Sequence, residues 1–330
     1  MKFRKLGKSD LILSEIGLGT WAIGGGDWGM GWGDQTKSDS KAAIFEALES
    51  GVNWIDTAHA YGFGLAEEVV GEVISEWKDE VIVATKCGVL PQSDLTPRRY
   101  ISPSSIRDEI EGSLSRLKVD TIDLYQIHWP TPLENLRDSW ESMVQLQREG
   151  KVRCIGVCNC SLNELNEIGE MDHLVSNQPM YSMLEQTIED DLLDWSSANS
   201  VGILAYSPMH SGLLTGKVSA AWLNSLPQND WRKHKVDHPA VKHLHQGQGM
   251  SRFLKLQDEL GEIASSNDRN IAQLAVSWVL RKQEITSAIV GARKSGQIYD
   301  AIEAVNKPLS SEEDALINQA ICKYMSKEND

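Results

Sequence analysis

Apolar and polar positions along the chain fall into two alternating patterns. Short apolar runs, often β-branched, read as strands, and longer stretches with apolar residues three and four apart read as helices. After a hairpin predicted from Phe3 to Leu13, a strand closes at Gly17–Trp21. Lys37–Ser50 has helical spacing at Ala43, Ile44, Ala47 and Leu48, and Gly51 ends it. Next comes NWIDTAHAYG, Asn53–Gly62, where the apolar Trp54 and Ile55 break into Asp56, Thr57, His59 and Tyr61. It reads as a buried strand that delivers an acid and a phenol into a loop. A helix follows over Leu65–Trp77, and Val81–Thr85 is a continuous apolar run of the kind expected in a strand covered on both faces. Lys86 comes directly after it.

The alternation continues to the end. Ser102 and Pro103 predict the cap and first turn of a helix reaching about Leu117. Strands are predicted at Ile122–Ile127 (then His128), Val152–Val157, Leu174–Gln178, Val201–Tyr206 and Ser287–Val290. Helices are predicted at Glu134–Arg148, after a Ser161 cap, and at Glu189–Ala198, Arg252–Ser265, Ile271–Leu280, Ser295–Val305 and Ser311–Tyr324. The stretch from about Gly216 to Gly249 is irregular and rich in Trp, His, Asn and Pro. Eight strand–helix units imply a parallel sheet, and in this length they favour a closed α/β (β/α)8 TIM barrel. The expected architecture is a single barrel domain over residues 1–330, with an N-terminal hairpin, a C-terminal extra helix and a long loop at about 209–250. The doubly wound alternative lacks its G-x-G-x-x-G fingerprint: the glycine-rich loop from Ile23 to Asp34 has other spacing.

Composition narrows the classes. Apolar residues make up 41% and charged residues 24%, so the chain can bury a core. No apolar stretch is long enough to span a membrane, and the charged N-terminus has no apolar run behind it, so a cytoplasmic protein without a membrane partner is expected. The net charge of −15 argues against binding nucleic acid, which needs a basic footprint. Cys87, Cys154, Cys158, Cys160 and Cys322 lack metal-ligand spacing and read as reduced thiols, so no metal is expected. An oligomer remains open.

In a barrel of this class, chemistry sits at the carboxyl ends of the strands. Those ends deliver Asp56, Lys86 and His128, with Tyr61 in the loop past Asp56. Alone, each has a bland reading: a cap, a solvated charge, a satisfied hydrogen-bonder, a packing aromatic. Together at adjacent strand ends they form a candidate catalytic set.

These residues lie in GLGTW, DTAHAYG, VATKCG, QIHWP, GVCNC, AYSP and IVGARKSGQ. With those motifs the chain resembles the aldo-keto reductase family over essentially its whole length. The loop GGGDWGMGWGDQ resembles a bacterial-type branch, similar to sugar and aldehyde reductases. The resemblance implies hydride transfer between a nicotinamide cofactor and the carbonyl of an aldehyde, ketone or sugar. Tyr61 would be the proton donor, Lys86 would favour its phenolate, Asp56 would hold Lys86, and His128 would orient the carbonyl. It further implies cofactor contacts at Asn159 and Gln178 (carboxamide), Tyr206 (nicotinamide stacking), Ser207, Gly212, Leu213, Leu214 and Lys217 (pyrophosphate), and Gly19, Thr20 and Trp21 at the first strand end. Turn formation and solvation account for Ser207 and Lys217 equally well. Cys158 stands where the family more often has Ser. At the adenosine end, Gly291, Arg293, Lys294 and Gln297 fit the family form, and Arg293 and Lys294 suit a 2′-phosphate. Asp300 keeps an acid there, but Ala301 replaces the usual Asn. NADP(H) is therefore expected first, with NAD(H) open.

Eleven tryptophans exceed ordinary usage, and Trp28, Trp32, Trp129 and Met209 are expected to line the substrate pocket, with Trp222 and Trp231 as further candidates. His59, Asp27 and Asp34 could touch a hydroxylated substrate, or be solvated. Two alternatives stand beside the enzyme reading. One is a non-catalytic cofactor-binding subunit resembling potassium-channel β subunits. The other is a metal-dependent hydrolase, which His128 as the lone strand-end His does not favour.

Overall fold

The computed structural model describes residues 1–168 and 171–325. Twelve strands follow in chain order: β1 (Phe3–Lys5), β2 (Ile12–Ser14), β3 (Ile16–Gly19), β4 (Trp54–Asp56), β5 (Ile82–Cys87), β6 (Val89–Pro91), β7 (Pro97–Arg99), β8 (Ile122–Ile127), β9 (Val152–Cys158), β10 (Leu174–Gln178), β11 (Gly202–Tyr206) and β12 (Ile285–Gly291). Eight of them close a parallel barrel in the order β3-β4-β5-β8-β9-β10-β11-β12, with β12 paired back to β3. The fold is the expected (β/α)8 barrel. Register sets the rim: Gly19 pairs with Asp56, Asp56 with Ala84, Lys86 with Gln126, and Gln178 with Cys158. No described helix is long and apolar enough to cross a membrane.

Two apolar cores separate cleanly. Outside the barrel, helices such as Pro103–Leu117 and Ile271–Leu280 bury apolar faces against the strands, with Trp140, Met143 and Trp278 fully enclosed. Inside, the β1–β2 hairpin brings Leu6, Leu11 and Leu13 together with Trp54, Leu124, Cys154 and Leu204. Trp54 is fully buried, and its indole N–H reaches the Ser14 carbonyl at 3.2 Å and Ser287 Oγ at 3.1 Å. Gly17 makes room for that ring: a Cβ there would sit 2.1 Å from the indole.

Several boundaries differ from the periodicity, each for a local reason. β5 runs to Cys87, so Lys86 lies in the strand rather than after it. An apolar pattern cannot register a lysine whose ammonium is paired inside. Val89–Pro91 and Pro97–Arg99 form an antiparallel hairpin that no strand pattern marks, because its three-residue strands carry prolines tolerated only at an edge. The predicted helix at Ser295–Val305 begins at Tyr299, because Gln297 Oε1 accepts from the Arg293 and Lys294 amides and holds a turn. The helix expected from Glu134 is α-helical from Leu136, after a 3-10 turn at Leu133–Asn135, and the one expected from Glu189 starts at Leu192. The irregular segment contains three short helices, Ala220–Ser225, Trp231–His234 and Lys242–His245. Ser219 and Asp230 cap the first two through the Trp222 and Arg232 amides.

Trp54 sits where plug and barrel meet, which makes it a test of this packing. Trp54→Ala is expected to lower stability by about 3–5 kcal/mol in urea unfolding, as large core truncations do. Gly17→Ala should also destabilise, by driving a methyl into the same ring. A Trp54→Ala loss below about 1 kcal/mol would show that the hairpin plug does not depend on this side chain.

Candidate active site

The rim groups are held by backbone geometry before any side chain acts. Thr57 N–H donates to the Ala84 carbonyl at 2.8 Å and extends the β4–β5 ladder past Asp56. Tyr61 N–H then donates to the Ala58 carbonyl, closing a turn. Gly62, Phe63 and Gly64 all take positive φ, which reverses the chain toward the helix Leu65–Glu76. Gly62 also packs on the first loop, where a Cβ would come 2.3 Å from the Gly24 carbonyl oxygen. The result fixes the Tyr61 ring over the strand ends.

Lys86 Nζ is the hub. It donates to Asp56 Oδ2 at 2.6 Å, to the Thr57 carbonyl at 2.9 Å and to Tyr61 Oη at 3.1 Å. The Asp56 carboxylate is tied on its other oxygen by Gln178 Nε2 at 2.8 Å. His128 follows β8, donates its backbone N–H to the Cys87 carbonyl, and stands edge-to-face with Tyr61 at 5.8 Å between ring centroids. Asp56, Lys86, Tyr61 and His128 therefore meet at one place, as their strand-end positions predict.

Burial dominates the electrostatics. It pushes the Tyr61 phenol well above its ordinary value, with the Lys86 ammonium pulling the other way. The ammonium therefore limits the rise without producing the lowered phenol expected from a neighbouring cation alone. Burial works most strongly against the Lys86 charge, but Asp56 together with Tyr61 and Cys158 more than offsets it and carries the pKa above the usual range. His128 is held well below the ordinary imidazole value by burial, then by Lys86 and Arg99, so it is neutral at pH 7. The four groups thus comprise a charged pair, a protonated phenol and a neutral imidazole.

These groups open into a cavity of about 1050 Å³ that runs from His128 to Asp300. Gly19, Trp21, Asn159, Gln178, Tyr206, Ser207, Gly212, Lys217, Gly291, Arg293, Gln297 and Asp300 all line it. Asn159 bridges the rim, donating to the His128 carbonyl and accepting from Tyr206 Oη at 2.9 Å. Ser207, His210, Ser211 and Gly212 all have positive φ, and such turns can point backbone N–H groups into an anion-binding hollow. A dinucleotide and a small substrate fit the size and the donor set. Trp28, Trp32, Trp129 and Met209 form part of the wall.

Some expected contacts lie elsewhere. His59 is outside the wall: its Nδ1 lies 3.8 Å from Glu109 Oε2 of the helix Pro103–Leu117, facing away from the cavity rather than toward a substrate. Thr20 is fully buried and donates to the Asp56 carbonyl, tying β3 to β4. Leu213 and Leu214 bury their side chains in apolar clusters, which leaves only their backbone for a phosphate. Cys158 is buried beneath the rim, its thiol pushed up by that burial. Lys294 is exposed outside the cavity wall. Arg293 lines the cavity, but its guanidinium clamps the first loop, bonding Gln35 Oε1 and the Trp32, Gly33 and Asp34 carbonyls at 2.6–3.2 Å. Asp34 accepts from Asn229, and Trp231 is buried behind the cavity wall against Trp21 and Trp32. Reading along the chain missed Met30, Arg99, Arg232 and His238, which also line the cavity. All come from segments without periodicity; the Trp-rich composition around Met30 and Arg232 is the one signal that marked them.

Comparison with known proteins places the chain by sequence and by fold. The aldo/keto reductase family model matches residues 15–321. Aldo-keto reductase YhdN of Bacillus subtilis is 36% identical over 323 residues, covering 96% of this chain and 93% of that protein. An NADH-specific methylglyoxal reductase of Escherichia coli is 31% identical, over 97% of this chain and 98% of its own. The structure of the glycerol dehydrogenase AKR11B4 from Gluconobacter oxydans superposes with a TM-score of 0.84 at 33% identity, covering 98% and 96% of the two chains. On sequence and fold alike, the chain belongs to the aldo/keto reductase family.

Proposed function

We propose that the chain is an NADP(H)-dependent reductase of aldehydes, ketones or sugars, with Tyr61 as the acid that completes carbonyl reduction. The observation that carries this reading is the hydrogen bond from Lys86 to Tyr61 Oη at the floor of the cavity. Because Oη accepts from Lys86, its own proton is free to point at a substrate oxygen. Burial keeps that proton on the phenol until negative charge develops opposite it. The ammonium then stabilises the phenolate that remains, and Asp56 and Thr57 hold the ammonium still. His128, neutral and perpendicular to Tyr61, offers a second donor to the same oxygen. Bound nicotinamide supplies the hydride. The named relatives are reductases and a dehydrogenase, which does not favour the non-catalytic alternative.

Asn159 and Gln178 would hold the carboxamide, Tyr206 the ring face, and the Ser207–Gly212 turn the pyrophosphate. Asn270 Nδ2 bonds Asp300 at 2.7 Å, so an amide stands at the far end of the cavity although Ala301 carries none. Arg293 would reach a 2′-phosphate by exchanging its contacts with the first loop.

Tyr61→Phe should lower kcat/KM for carbonyl reduction by about 10²–10⁴-fold, with cofactor Kd unchanged in fluorescence titration. Turnover within tenfold of the parent would remove Tyr61 from the acid role. With saturating cofactor, kcat/KM should stay flat from about pH 7 to 10, since burial holds His128 well below the ordinary imidazole value and Tyr61 well above the ordinary phenol value. An inflection near pH 6.5 that disappears in His128→Asn would contradict the neutral-imidazole assignment. Arg293→Ala should weaken NADPH by about tenfold and NADH by less than threefold, the size of one charge-assisted contact. Equal loss for both cofactors would make Arg293 a loop clamp alone.

A further inference from the structure

We propose that Arg99 recognises an anionic group on the substrate, so that the pocket selects short carbonyl compounds bearing a phosphate or carboxylate. The proposal deepens the reductase reading and rests on it for the position of the reacting carbonyl.

Arg99 ends β7 and pairs with Val89, which also lines the cavity. The hairpin that carries it is pinned at both ends: Gly29 N–H donates to the Leu95 carbonyl, and Tyr100 N–H to the Gly88 carbonyl. Its guanidinium carbon lies 3.4 Å from the centre of the Trp129 ring. Trp129 directly follows His128, so the cation stands one residue from the group assigned to orient the carbonyl.

The other arginines of the wall are occupied: Arg232 is bonded to both oxygens of Asp230 and to the Ser211 carbonyl, and Arg293 clamps the first loop. Lys86 is buried and held by Asp56. Lys217 lies toward the Gly212 turn, at the cofactor end. The Arg99 guanidinium has no ion pair and no hydrogen bond among the described residues; its contact is the Trp129 ring. Its neighbours in charge are the Tyr206 phenol and the two imidazoles His128 and His238, with no carboxylate among them. Stacking on an indole fixes the plane of a guanidinium and leaves its N–H edge for a ligand. That edge matches a carboxylate or phosphate with two parallel hydrogen bonds. The setting sharpens the point: the chain carries a net charge of −15, which repels anions at long range. A cation in a concave site reverses that locally.

A purely structural Arg99, present to cover Trp129, would affect all substrates alike. The test is therefore a ratio. With saturating NADPH, kcat/KM is measured for glyceraldehyde 3-phosphate against glyceraldehyde, and for succinic semialdehyde against butanal, in the parent and in Arg99→Met and Arg99→Lys. The parent should favour the charged member of at least one pair by tenfold or more, and the pair that shows it tells phosphate from carboxylate. Arg99→Met should reduce that ratio by about 30-fold, chiefly through KM, and Arg99→Lys should restore part of it. A parent without preference, or a ratio unchanged in Arg99→Met, overturns the proposal. If the parent reduces none of the four compounds, the reductase reading has failed, and the site is judged by calorimetry with inorganic phosphate and succinate on NADP-saturated protein. Binding lost in Arg99→Met then supports the anion site; no binding, or binding that survives the substitution, overturns it.

Discussion

The buried ion pair between Lys86 and Asp56 is the constraint on which the mouth of the barrel depends. Two charges out of water are costly to hold, and removing one partner would strand the other at about 3–5 kcal/mol. The structure meets the cost by completing the coordination of both groups. Lys86 gives one hydrogen to Asp56, one to the Thr57 carbonyl and one to Tyr61; Asp56 takes a second bond from Gln178. These partners come from β4, its following loop, β5 and β10, on opposite sides of the barrel. The pair therefore works only if the barrel closes in this register. It also places a positive charge beneath the buried, protonated Tyr61.

Much of this was legible along the chain because barrel strands must be apolar on both faces. Ile122–Ile127 ends in an apolar residue and the polar His128 next to it becomes a rim group, whereas Leu174–Gln178 turns polar after Val175 and brings Gln178 to the rim from within the strand. Asp56 and His128 were found in that way. The chemistry of Lys86 is visible in the sequence, but its place inside β5 is not, because its pairing with Asp56 is made across strands. Capping chemistry was equally direct at Ser102 and Ser161, both of which form reciprocal capping boxes. What stayed hidden depends on long-range partners. His59 is separated from Glu109 by fifty residues of chain, and no local pattern reveals that it turns outward. Arg293 reaches carbonyls near residue 33, so its motif suggests a phosphate ligand while its geometry adds a second role. The hairpin carrying Arg99 is too short and too proline-rich to show as strands.

The tryptophans divide in the same way. Composition marks them as unusual, but only packing assigns them. Trp54 and Trp278 are core; Trp21, Trp32 and Trp231 form one cluster at the mouth, with Trp21 stacked on Trp231 at 5.5 Å and Trp32 edge-on to both. The Arg232 guanidinium lies 4.4 Å from the Trp32 ring centre and is neutralised by Asp230. This cluster ties the first loop to the long segment after β11. A bridge between Trp32 and Asp230 and the bond from Trp231 N–H to the Gly31 carbonyl complete the joint. The long segment thus forms a wall of the cavity, fixed by aromatic contacts and backbone bonds.

That joint connects the two ends of the cavity. The first loop carries Trp28 and Trp32 on the substrate side, and Arg293 holds the same loop from the far end through the carbonyls of Trp32, Gly33 and Asp34. A phosphate that drew Arg293 away would remove these bonds from the loop, leaving it to the Trp cluster and to Asn229. The loop would keep its aromatic anchor and its backbone bonds and lose the guanidinium clamp. If Arg293 takes a 2′-phosphate as proposed, cofactor choice and the position of the first loop are coupled through one guanidinium, and a change at either end of the cavity must be read at both.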